Sequence, residues 1–111
     1  MNTGMNVVDS SGWLEYFADA VNADFFAEAI QDVETLIVPA ISLYEVFQRV
    51  YQQRDEGDAL QAVAMMEQGQ AVELDSRLAL SAAKIAVDFK LPMADRIILA
   101  TARSWQATLW T

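Results

Sequence analysis

Apolar positions along the chain change their period several times, and each change marks an element. Asn6 to Val8 is a short β-branched run ending in Asp9, after which Trp13, Leu14 and Phe17 fall on one side of a helix from Ser10 to Phe17. Phe25, Phe26, Ala29 and Ile30 predict a second short helix over Ala23 to Gln31. Thr35 to Val38 reads as a strand stopped by Pro39. Ser42 is then expected to cap a helix whose stripe is Leu43, Val46, Phe47, Val50 and Tyr51. Asp55 to Asp58, with Gly57 inside, reads as a turn. A helix over Ala59 to Glu67 follows, and Gly69 ends it before a strand from Ala71 to Leu74. Leu78, Ala82, Ile85 and Ala86 align on a helix over Ser76 to Asp88. After Pro92, a helix from Met93 to Ser104 is apolar nearly all round, as one packed in an interior would be. Thr108 to Trp110 starts a last strand.

Strands alternating with helices imply an α/β fold. The expected architecture is a three-layer sandwich, a parallel sheet of four short strands with helices on both faces, in a single domain over 1–111. Ligands of such sheets sit beyond the strand C-termini, where strand order reverses. Asp9 ends the first strand and is the first place to look.

Composition narrows the chemistry. The chain carries 16 acidic and 7 basic residues, a net charge of −9, so it has no basic field of its own to hold a phosphate backbone. It contains neither Cys nor His, which excludes disulfides, thiolate nucleophiles, Ser-His-Asp triads and imidazole metal sites. Carboxylates are the plentiful reactive groups that remain. The apolar run Ile97 to Ala102 is too short to span a bilayer, and the N-terminus lacks a signal-peptide pattern, so a cytoplasmic protein with no membrane contact is expected.

Three acids stand out by context: Asp9 after a strand, Glu45 within an amphipathic helix, and Asp95 in the first turn of the apolar helix. Each has an ordinary reading. Asp9 suits a helix N-cap, Glu45 a capping box with Ser42 or a pair with Arg49, and Asp95 a helix N-terminus. Brought together, the three would repel unless a divalent cation compensates, and an oxygen-only set favours Mg²⁺ or Mn²⁺. Ser10 is placed to contribute a hydroxyl ligand or a phosphate contact. Asp75 reads as the N-cap of the helix beginning at Ser76 and is left out of the site.

The segments Val7-Val8-Asp9-Ser10-Ser11-Gly12-Trp13-Leu14, Ser42-Leu43-Tyr44-Glu45-Val46 and Leu91-Pro92-Met93-Ala94-Asp95-Arg96-Ile97-Ile98-Leu99-Ala100-Thr101-Ala102 resemble the PIN-domain ribonucleases, and within them the VapC-type toxins of toxin–antitoxin modules. The resemblance covers nearly the whole chain in order. It implies a metal-dependent endoribonuclease that cleaves RNA phosphodiester bonds, with Asp9, Glu45 and Asp95 holding Mg²⁺ or Mn²⁺. The family pattern continues into a Thr-x-Asp turn. Here Thr111 matches its Thr, and the closing segment with a fourth acid is expected to be missing. Eight of the eleven aromatics lie at or before Tyr51, which with the resemblance implies a cognate antitoxin seated in an aromatic groove near Trp13, Phe17, Phe47 and Tyr51, and self-association. The competing reading is a non-enzymatic acidic α/β domain. It is either receiver-like, with Asp75 as phosphoacceptor, or a catalytically silent PIN-like interaction module.

Overall fold

The structure, a computed structural model, describes residues 4–88 and 90–111, the side chains of 86–88 excepted. Four strands, β1 (Asn6–Val8), β2 (Leu36–Pro39), β3 (Gln70–Val72) and β4 (Thr108–Trp110), form one sheet in the order β3-β2-β1-β4. All three pairings are parallel, with Val7 opposite Ile37 and Leu109, and Val38 opposite Ala71. Six helices connect or cover them: α1 (Ser10–Phe17), α2 (Ala23–Gln31), α3 (Ala40–Gln53), α4 (Glu56–Met66), α5 (Ser76–Asp88) and α6 (Met93–Ser104).

The two central strands are buried along their whole length, which is why they are apolar at every position except Asn6, whose side chain is hydrogen-bonded, rather than alternating. Their side chains still alternate between faces. Val8, Leu36 and Val38 join Trp13, Phe26, Ile30, Val46 and Met66 in the core beneath α1 to α4, whereas Val7 and Ile37 meet Ile98 and Ala102 of α6 on the other face. Leu78, Ala82 and Ile85 of α5 pack on Ile97 and Ala100. The predicted partner in that stripe, Ala86, lies outside the described side chains. The α/β sandwich expected from the pattern is therefore the fold found.

Some boundaries move. α3 begins at Ala40, directly after Pro39, so Ser42 sits inside the helix, fully buried, and caps nothing. The expected turn at 55–58 is instead the start of α4, because the Asp55 carboxylate accepts the backbone N–H of Asp58 at 2.8 Å and caps the helix. A 3₁₀ turn over Val33–Thr35 precedes β2, moving its start to Leu36. On α6, Met93 is exposed, and burial is confined to a stripe from Ile97 to Ala102. Among the described residues, no helix is long and apolar enough to cross a membrane.

Candidate active site

β1 ends at Val8, and the next residue is fixed from two directions. The Asp9 N–H donates to the carbonyl of Trp110 at 3.0 Å, and one Asp9 carboxylate oxygen accepts the Ser11 N–H at 3.0 Å, capping α1. The cap reading of Asp9 is thus right, and it does not remove Asp9 from the site. Ser10, buried at the first position of α1, donates its hydroxyl to Glu45 Oε1 at 2.6 Å. Glu45 comes from α3, one turn beyond β2, and Asp95 from the first turn of α6. These four residues, drawn from three parts of the chain, line one cleft of about 410 Å³.

The groups in the cleft that could ligate a metal are oxygens, from carboxylates, the hydroxyls of Ser10 and Ser11 and, on α3, the side-chain amides of Gln48 and Gln52; the Arg49 guanidinium lies beside them. Such a set fits a hard divalent cation in kind, since Mg²⁺ keeps several waters and takes one or two carboxylates plus substrate oxygens. It is not a closed cage. Among the described residues, no three acidic side chains stand close enough to hold an ion together. Asp9, Glu45 and Asp95 therefore share the cleft as separate walls.

Glu45 neither forms a capping box with Ser42 nor pairs with Arg49; the Arg54–Asp58 contact at 3.6 Å, on exposed side chains, is the one ion pair among the described residues. Thr111 is not among the residues that line the cleft. It lines a neighbouring pocket with Glu15, Asn22 and Phe25 that shares only Ser11 with the acidic cleft. Asp75 follows the edge strand β3 and accepts the Leu78 N–H at 2.8 Å, the capping role expected of it. Gln48, Arg49 and Gln52 line the cleft; the sequence pointed to Arg49 only as a partner for Glu45 and to neither glutamine, although their spacing from Glu45 at i+3, i+4 and i+7 was the available signal.

The aromatic groove also differs from its expected outline. Trp13 is fully buried, stacked on Phe17 at 5.7 Å within the core, so it offers no surface to a partner. Its large ring fills the space under α1, as aromatic burial favours. Phe17 borders a separate depression with Arg49 and Val50. The open groove lies between α3 and α4, where Leu43, Tyr44, Phe47, Tyr51 and Val63 line about 640 Å³, with Tyr44 60% and Tyr51 52% exposed.

Solved structures share this fold. A toxin–antitoxin complex from Klebsiella pneumoniae matches with a TM-score of 0.78 at 21% identity, over 96% of this chain and 84% of that one. VapBC2 from Rickettsia felis, bound to a DNA fragment from its promoter, gives 0.75 at 11% identity, over 96% and 86%. VapC20 from Mycobacterium tuberculosis, described as a Sarcin-Ricin loop cleaving toxin, gives 0.74 at 15% identity, over 92% and 84%. No curated protein sequence matches. The sequence profile of the PIN domain matches residues 7–111, which takes in all of the sheet but Asn6 and every acid of the cleft, and the chain belongs to the PIN domain family.

Proposed function

We propose that this chain is a Mg²⁺- or Mn²⁺-dependent endoribonuclease and the toxin of a toxin–antitoxin module. The observation that carries the reading is the meeting of Asp9, Glu45 and Asp95, from three separate elements, on one cleft. Single caps or surface pairs give no reason for such a meeting, whereas a shared cation does. Asp9 and Asp95 would hold the ion directly, with Glu45 reaching it through water. A bound divalent ion supplies an activated water and neutralises charge on the scissile phosphate. Ser10 fixes the orientation of Glu45 through its hydroxyl. Asp9 is held by Ser11 on one side and by the β4 backbone on the other, so its carboxylate is prepositioned.

The partner follows from the surface. The groove between α3 and α4 exposes Tyr44 and Tyr51 beside the half-buried Leu43 and Val63, a form suited to the apolar face of a helix. In the Klebsiella pneumoniae and Rickettsia felis structures the related fold was solved with a partner protein, which supports an antitoxin as the occupant here. Self-association and a cytoplasmic site of action belong to the same reading.

The test is cleavage of a labelled RNA pool by the full chain in Mg²⁺ or Mn²⁺. Asp9→Asn and Asp95→Asn are each expected to lower the rate more than about 100-fold, beyond the loss typical of an outer-shell partner, with the circular dichroism unchanged. Cleavage undiminished in EDTA overturns the proposal.

A further inference from the structure

Glu45, Gln48, Arg49 and Gln52 stand at i, i+3, i+4 and i+7 on α3 and all line the acidic cleft. With 3.6 residues per turn they form one stripe, and the rise of the helix carries it about 10 Å away from Glu45 along the axis. Glu45 is engaged by Ser10, so it does not pair with Arg49. Among the described residues the side chains of Gln48, Arg49 and Gln52 make no hydrogen bond or ion pair. All three are exposed. Arg49 carries the one positive charge among the residues lining the cleft, in a chain whose net charge is −9.

An uncommitted guanidinium beside carboxylates is a poor structural element and a good phosphate anchor, since its fork of N–H donors matches two phosphate oxygens. The flanking amides each present both donor and acceptor. We infer that Gln48, Arg49 and Gln52 form the binding track for single-stranded RNA next to the cleaved bond. Arg49 holds a phosphate, and the two glutamines read base edges or 2′-hydroxyls, which only an unstacked strand offers. This inference rests on the nuclease reading above and adds the residues that select and hold its substrate. A peptide is the competing occupant, because Gln48 and Gln52 also border the aromatic groove. Charge complementarity favours the polyanion at Arg49.

Initial-rate kinetics of the full chain on a fluorescent single-stranded RNA oligonucleotide in Mg²⁺ test it. Arg49→Ala is expected to raise KM about 10-fold, the worth of a charge-assisted contact, with kcat held within about 2-fold. It should also reduce the slope of log affinity against log salt by about 1, whereas Arg49→Lys should keep the parent slope and recover only part of the loss in KM, since an ammonium keeps the charge but not the fork. The Gln48→Ala/Gln52→Ala pair should raise KM about 3-fold and broaden the set of sequences cleaved, as loss of amide contacts to bases does. Arg77→Ala, on a separate pocket with Lys84 and Arg103, serves as the control with unchanged kinetics. If the parent chain cleaves RNA and both the Arg49 and glutamine variants keep its KM, the track is wrong and the nuclease reading stands. If those variants keep KM but lose affinity for the co-expressed partner protein, the stripe belongs to the protein interface and the inference is overturned. A parent chain that cleaves no RNA in Mg²⁺ or Mn²⁺ overturns both.

Discussion

Ser10 and Ser42 are both buried hydroxyls in helices, and they meet opposite fates. The Ser10 hydroxyl is satisfied by Glu45 at 2.6 Å, whereas Ser42 Oγ has no hydrogen-bond partner among the described residues. An orphaned buried hydroxyl is a net cost, so Ser42→Ala is expected to stabilise the fold by about 1 kcal/mol, read as a rise of about 4 °C in Tm by thermal denaturation. Ser10→Ala removes no bulk from the core but leaves Glu45 without its orienting donor. Titration with Mn²⁺ should show about 10- to 100-fold weaker binding, with Tm little changed. The two substitutions are chemically identical and should separate a hydroxyl used for the site from one that burial merely tolerates. The sequence marked Ser10 through its place after Asp9, but assigned Ser42 to a cap it does not form. A serine after proline is a sound capping signal, and here Pro39 itself opens the helix.

At the scale of elements, the two central strands were legible because β1 and β2 are buried on both faces and so carry Val7-Val8 and Leu36-Ile37-Val38 without alternation. α2, α5 and α6 were legible to the residue because their apolar stripes start and stop beside strong punctuation. The start of α4 was not, since Asp55 and Asp58 with Gly57 signal a turn as readily as the N-cap and first turn they form. Lateral placement was harder still. The stripe of Leu43, Val46 and Val50 defines the inward face of α3, but it does not say which polar side meets α1 and the acids. That depends on packing between elements, of which the close approach of α1 to α2 at Gly12 is one case. A Cβ added at Gly12 would lie 2.6 Å from Phe26 Cε1 and 2.8 Å from Val8 Cγ1, and Phe26 is itself buried. Gly12→Ala is therefore expected to destabilise by about 1–3 kcal/mol in urea denaturation, by forcing α1 away from the sheet.

Across the whole molecule, α3 is a wall shared by two surfaces, with the acidic cleft on one side and the aromatic groove on the other. Tyr51 faces the groove and is half exposed, so its loss removes contact area without opening the core. Tyr51→Ala is expected to weaken the complex with a co-expressed antitoxin about 30-fold, the effect of a hot-spot truncation, as measured by calorimetry on the purified pair. An unchanged affinity would remove the groove from the partner reading. The sheet, finally, ties the beginning of the sequence to its far end. β4 pairs with β1 through Trp110 opposite Val8, Trp110 Nε1 donates to Asn6 Oδ1 at 2.8 Å, and the Trp110 carbonyl receives the Asp9 N–H. On the ribosome, Asp9 is made about a hundred residues before Trp110, an interval of about 5–20 s at ordinary elongation rates. Until β4 emerges and docks, Asp9 lacks its backbone anchor and the cleft lacks a fixed wall. In the proposed nuclease, the Asp9 wall of the cleft is set only once β4 has docked on β1.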